Sequence, residues 1–201
     1  NMARVLILFA HPKFERSRIN KALISSIDQT SDVTIHDLYE KYPDFNIDID
    51  KEKKLLEEHD VVVWHHPFYW YSCPPLLKQW IDLVLEYNWA YGPKGNALLG
   101  KRAISVITTG GKEEVYCREG KNNYSINEFL RPFEQTATLC GMFYLPPFTV
   151  TGTYTLTDDE VENYAQQYKA AIKLLCEEED FHALNQADFL NNIPQLKTAI
   201  S

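Results

Sequence analysis

His11 stands in Ala10-His11-Pro12, and Ser17, Arg18, Ile19 and Asn20 follow where a helix begins. A helix start offers unpaired backbone N–H groups and the positive end of the helix dipole. With the Ser17 hydroxyl, the Asn20 amide and the His11 ring beside them, those groups suit a phosphate. Ser17 reads equally as a simple N-cap. The stretch lacks the glycines of G-x-G-x-x-G and of the nucleotide-hydrolase loop, which excludes both of those phosphate sites. A second stretch runs His65-His66-Pro67-Phe68-Tyr69-Trp70-Tyr71-Ser72. Its rings, Phe68 to Tyr71, suit the face of a flat ligand, or a hydrophobic corner packed against another loop or chain. A third stretch, Thr108-Thr109-Gly110-Gly111, sets two glycines after a strand. There backbone N–H groups can approach a ring closely, or the chain simply turns. Together the three describe a site for a phosphorylated flat heterocycle. His65 and His66 do not make a metal site, because neighbours on a strand point to opposite faces. No acid or thiol cluster with ligand spacing accompanies them.

The elements that must position these stretches alternate. Apolar, β-rich runs at Arg4–Phe9, Val33–Leu38, Val61–Trp64, Ala103–Thr108 and Phe148–Thr151 read as strands. Helical patterns lie between them. Ser17 caps the face Ile19, Leu23 and Ile27. Asp50 caps a short helix carrying Leu55 and Leu56. Pro74-Pro75 opens a helix burying Leu76, Leu77, Trp80, Ile81, Val84 and Leu85, since prolines fit a first helical turn. Ser125 with Glu128, and Thr157 with Glu160, match capping boxes. Pro132 restarts a helix that runs to Cys140, and a long helix follows Thr157. Five alternations predict a five-stranded parallel α/β sheet with helices on both faces and right-handed crossovers. In such a sheet ligands bind outside the carboxyl ends of the strands. All three chemical stretches leave strands at that end. The aromatic segment from Glu86 to Lys101 reads as a surface loop, either a lid or a dimer contact. The tail after Glu177 opens with an acidic run and is either docked or partly disordered.

Bulk properties set limits. With 201 residues, 45% hydrophobic and 24% charged, the chain has the composition of a soluble globular domain. A formal net charge of −8 argues against a nucleic-acid surface and against adhesion to anionic lipid. No apolar run approaches the roughly 20 residues of a membrane span. No signal peptide is visible at the start, so a cytoplasmic location is expected. Cys73, Cys117, Cys140 and Cys176 are widely spaced, which fits reduced thiols, with Cys73 a half-buried filler.

An ordered series of short motifs resembles a known family. Those already quoted are joined by Tyr42-Pro43-Asp44-Phe45, Trp80-Ile81-Asp82, Trp89-Ala90-Tyr91-Gly92 and Leu145-Pro146-Pro147-Phe148, so the likeness runs from about residue 4 to 176. The family is the flavodoxin-like NAD(P)H:quinone oxidoreductases, the DT-diaphorases. The nearest branch is the ancillary quinone reductase of the glutathione-gated potassium-efflux system. The resemblance implies a flavodoxin-like three-layer sandwich over residues 1–176, with 177–201 as an extension. It implies FMN or FAD, with His11, Ser17, Arg18, Ile19 and Asn20 at the phosphate. Pro67, Phe68, Tyr69, Trp70, Tyr71, Thr108, Thr109, Gly110 and Gly111 would bracket the ring. It further implies NAD(P)H as donor, a quinone as acceptor, ping-pong kinetics and a homodimer. The protein could also dock on a potassium-efflux antiporter at the inner face of the cell membrane, with reductase activity secondary. A flavin electron carrier is disfavoured by the long aromatic segment 86–97.

There is one departure. Diaphorases pair a tyrosine with a histidine six residues later; here Tyr116 is followed by Asn122. Asparagine cannot carry a proton at neutral pH. As a candidate catalytic pair, Tyr116 and Asn122 would stabilise charge by hydrogen bonds, with protons delivered from solvent.

Overall fold

The computed structural model describes residues 2–197. Val5–Phe9 (β1), Val33–Asp37 (β2), Val61–Pro67 (β3) and Arg102–Thr108 (β4) are parallel strands in the order β2-β1-β3-β4. The fifth position is filled in two pieces. Phe143–Tyr144 (β5) pairs with Arg102 and Ala103, and Phe148–Val150 (β6) pairs with Val106 to Thr108. The strand expected at Phe148–Thr151 is therefore the second half of an interrupted one. Pro146 and Pro147 lie in the gap and have no N–H to give to the ladder.

The central strands are buried on both faces, as an all-parallel sheet requires. Side chains alternate between two cores. Val5, Ile7, Phe9, Val61 and Val63 face one side, and Leu6, Leu8, Val62 and Trp64 the other. β3 does not stop at Trp64. It continues through His65 and His66, both fully buried, His65 toward the first core and His66 toward the second.

Arg18–Ser25 (α1) covers the first face. On the other lie Leu38–Lys41 (α2), Ile49–Glu57 (α3), Pro75–Val84 (α4), Ile126–Phe129 (α5) and Arg131–Leu139 (α6). Asp158–Glu177 (α7) packs beside α1. Both expected capping boxes form, at Ser125/Glu128 and Thr157/Glu160. The cap of α3 is Asp48, not Asp50, which sits in the first turn. Starting there sets Glu52 and Leu56, one turn apart, inward. In α4 the buried residues are Leu76, Leu77, Trp80 and Val84; Ile81 and Leu85 are only partly covered.

Segment 86–101 is packed down rather than raised over a cleft. Trp89 Nε1 donates to Glu57 at 3.2 Å, Lys53 Nζ stands 5.0 Å over the Trp89 ring, and Ala90 and Leu98 are buried. The described part of the tail is docked. Phe181–Leu184 (α8), Pro194–Lys197 (α9) and the turn between them set Leu184, Leu190, Ile193 and Leu196 into the same core as β1. The Asn191 amide pairs with Thr149 on the open edge of β6, accepting from its N–H and donating to its C=O, each at 2.9 Å.

One buried carboxylate ties the second face together. Glu52 accepts from His36 Nε2 at 2.7 Å, from the Tyr42 hydroxyl at 2.6 Å and from Trp80 Nε1 at 3.0 Å. Burial alone would push its carboxyl up. The bond and charge of His36, then Tyr42 and Trp80, hold it below the ordinary carboxylate range. β2, α2, α3 and α4 meet at this group.

Candidate functional site

The strand order reverses between β1 and β3, and an open cleft of about 720 Å³ lies at their carboxyl ends. His11, Ser17, Arg18, Ile19, Asn20, Pro67, Phe68, Tyr69, Thr108 and Gly110 line it. Three loops distant in sequence are thus brought together. Trp70, Tyr71, Thr109 and Gly111 are outside the lining, as are Tyr116 and Asn122.

One end of the cleft is built for an anion. α1 begins there with Ser17 as its N-cap, and the Ser17 Oγ accepts from Asn20 N–H at 3.2 Å. The N–H groups of Arg18 and Ile19 have no partner within the helix. Lys13 and Arg16 add positive charge to the lining. Arg18 turns away from the N–H groups: its guanidinium bonds Asp158 at 2.8 Å and the Leu156 carbonyl at 2.5 Å, tying α1 to the start of α7. His11 accepts at Nδ1 from the Lys13 N–H at 3.0 Å. Its neutral ring therefore carries the proton at Nε2, as a donor. Burial lowers the His11 pKa, and Glu15 only partly restores it.

Beneath this end runs a buried polar chain. Asn20 Nδ2 donates to Ser17 Oγ at 2.9 Å and to Thr108 Oγ1 at 3.2 Å. His65 Nε2 lies 2.9 Å from Asn20 Oδ1, and His65 Nδ1 lies 2.9 Å from the Tyr168 hydroxyl. Burial holds the His65 pKa well below its ordinary value, so the ring is neutral. His66, on the other face, is also neutral, its pKa lowered to about 4 by burial. Among the described residues no group of three or more His, Cys, Asp or Glu could hold a metal ion.

The aromatic loop is bent sharply. Trp70 and Tyr71 both have positive φ, 49° and 63°, a conformation that costs a non-glycine residue roughly 1–3 kcal/mol. Tyr71 is held by stacking on Phe129 at 5.0 Å and by donating its hydroxyl to Asn122 Oδ1 at 3.1 Å. The turn throws Trp70 into solvent, 91% exposed. Asn122 is thus engaged by Tyr71, not by Tyr116 as the six-residue spacing led one to expect. Tyr116 packs against Phe68 and lies beside Thr109. Burial pushes its pKa up, and the neighbouring Thr109 side chain opposes this only in part. Its hydroxyl therefore keeps its proton at neutral pH.

A fourth loop escaped the sequence reading. After β6 the chain turns at Gly152, whose φ of +64° favours glycine. Thr153, Tyr154 and Leu156 then complete the cleft lining. Gly152 N–H bonds the Gly111 carbonyl at 2.9 Å and Thr153 N–H the Thr109 carbonyl at 3.1 Å, joining the two loops. A Cβ on Gly110 would overlap the Tyr154 ring. Gly110 thus lets the Tyr154 ring lie directly on the glycine loop. Tyr154 is otherwise 89% exposed and stands as a wall. The signal for this loop was faint, a glycine followed by one tyrosine. The signals for His65 and Tyr168 were also weak, because each reads as an ordinary buried residue.

Fold and cleft together define a doubly wound α/β protein with a cleft at its switch point into which a helix start and basic side chains point. A family model of the flavodoxin-like fold matches residues 3–172. Glutathione-regulated potassium-efflux system ancillary protein KefG of Pectobacterium atrosepticum is 47% identical over 165 residues, 82% of this chain and 90% of its own. The crystal structure of general stress protein 14 from Treponema denticola, in complex with FMN, matches with a TM-score of 0.82 at 43% identity, over 86% of this chain and 99% of that one. An NADPH-quinone reductase from P. pentosaceus matches with a TM-score of 0.77 at 32% identity, over 84% and 97%. The chain belongs to the flavodoxin-like NADPH-quinone reductase family.

Proposed function

We propose that this protein is an FMN-dependent NAD(P)H:quinone oxidoreductase that works as a homodimer by a ping-pong scheme. The observation that carries the reading is the switch-point cleft, with an anion-binding helix start at one end and aromatic and glycine loops at the other. The donor set fits a phosphate: two unpaired N–H groups at the start of α1, His11 Nε2–H, Lys13 and Arg16. In this reading His11, Ser17 and Ile19 hold the phosphate end, with Asn20 beneath them bonded to Ser17 and Thr108. Arg18 contributes its N–H and braces the cleft through Asp158. Pro67, Phe68, Tyr69, Thr108, Gly110 and Tyr154 flank the ring. Bound FMN supplies the two-electron transfer between nicotinamide and quinone. Tyr116 holds its proton on the phenol oxygen and packs that oxygen against Gly111 of the glycine loop. The adjacent exposed rings of Tyr69, Trp70 and Tyr71 support a dimer, since contiguous apolar surface marks contact sites.

Purified protein reconstituted with FMN should oxidise NAD(P)H faster when a benzoquinone is added, with parallel steady-state lines. Absence of FMN binding would remove the reading. A Tyr116→Phe variant should slow flavin reduction only about two- to tenfold, the roughly 0.5–1.5 kcal/mol of one hydrogen bond. A loss above about a hundredfold in stopped-flow bleaching would instead assign it general acid–base work.

The likeness to KefG supports a second role: docking on the cytoplasmic side of a potassium-efflux antiporter, with peripheral attachment to the membrane. Among the described residues no helix is long and apolar enough to cross a membrane. Co-purification with the antiporter's cytoplasmic domain tests that role.

A further inference from the structure

The chain of polar groups below the cleft has a direction, and Tyr168 sets it. The Tyr168 hydroxyl is fully buried at the centre of the first core. Among the described residues its one hydrogen-bonding partner is His65 Nδ1, 2.9 Å away. A buried O–H without an acceptor is costly, so its proton must point at that nitrogen. His65 Nδ1 then accepts, and a neutral imidazole that accepts at one nitrogen donates from the other. Nε2–H therefore donates to Asn20 Oδ1. With its oxygen facing His65, Asn20 has both amide protons for the other side. One goes to Ser17 Oγ and one to Thr108 Oγ1. Ser17 Oγ also takes the Asn20 backbone N–H. Both of its acceptor positions are filled, and its own proton has only the cleft to point into.

We infer that Tyr168 and His65 are positioning residues of the phosphate subsite: by fixing the Asn20 amide they oblige Ser17 to present its hydroxyl to the cleft as a donor. This rests on reading the cleft as an FMN site. Neither residue lines the cleft, and neither touches what binds there. Had the chain run the other way, the Asn20 oxygen would face Ser17 and Thr108. It would take up the Ser17 proton, leaving lone pairs toward the incoming anion. A core tyrosine thus decides whether a helix cap also serves as an anion donor.

Two measurements test this. First, the 15N shifts of the His65 ring in the wild-type apoprotein should show the proton on Nε2; a proton on Nδ1 would overturn the inference without any reference to flavin. Second, FMN and riboflavin affinities should be compared by fluorescence quenching, because the two differ only in the phosphate. Tyr168→Phe removes the directing proton. It should weaken FMN binding about three- to tenfold, the worth of one hydrogen bond, and riboflavin less than about twofold. His65→Gln keeps one acceptor and one donor at a similar separation, and should retain the wild-type preference for FMN. Equal losses for both ligands in Tyr168→Phe, or an unchanged ratio, would reduce Tyr168 to a packing residue. Should the wild type bind no FMN, the proposed function fails, while the tautomer still decides the order of the chain. That first measurement also stands if Tyr168→Phe does not fold.

Discussion

Ser17→Asp is expected to weaken FMN binding at least about tenfold, roughly 1.4 kcal/mol, while the protein stays folded. At about 4 Å and an effective dielectric near 20, two unit charges interact by about 4 kcal/mol. A carboxylate beside a phosphate dianion at the start of α1 would be repelled on that scale, partly offset by Lys13 and Arg16. The substitution also removes the hydroxyl donor. Stability should change little, because aspartate caps helices as well as serine does and can still accept from the Asn20 N–H. Titration with FMN, riboflavin as the control, and a thermal melt check both halves. Full FMN affinity in the variant would leave Ser17 as a cap and nothing more.

Glu52→Ala should destabilise the protein by about 2–5 kcal/mol, since each buried donor left without its acceptor costs about 1–3 kcal/mol. The change leaves His36, Tyr42 and Trp80 without their common acceptor and opens a space between α3 and α4. Denaturant unfolding, compared with wild type, measures it. The effect should depend on pH. The folded-state pKa of Glu52 lies below its ordinary 4.5, so its contribution is complete above that value and disappears as pH falls through the folded pKa. The gap between wild type and variant should therefore be widest near neutral pH and close in acid. A gap that persists unchanged in acid would mean that packing, not charge, dominates at Glu52.

Much of this was readable because local rules and tertiary demands agreed. The strands at Arg4–Phe9 and Ala103–Thr108 are apolar, β-branched and buried on both faces, so composition alone locates them. Ser17 and the two capping boxes are local chemistry, and each formed as expected. The misses share a cause: a neighbour remote in sequence decided the outcome. β3 runs on through His65 and His66 because Asn20 and Tyr168 satisfy both nitrogens of His65 and the Pro67 carbonyl takes one nitrogen of His66. Asp48 rather than Asp50 caps α3 because His36, Tyr42 and Trp80 demand Glu52 on the inner face. Spacing could place Tyr116 near Asn122, but could not reveal that Tyr71, bent to positive φ, takes the amide first. Segment 86–101 is rich in aromatics like a lid, yet Glu57 and Lys53 draw Trp89 onto α3.

The clasp between Asn191 and Thr149 bears on how the protein is made. Synthesis runs from the N-terminus, and domains fold as their residues leave the ribosome. Every strand, the cleft and α7 have emerged before residue 191 does. During that interval the outer edge of β6 shows its N–H and C=O groups to any passing strand, the arrangement that seeds aggregation. The break at Pro146 and Pro147 shortens the vulnerable edge, and Asn191 then closes it with one side chain. Newly made chains are therefore most prone to clump just before the tail locks down.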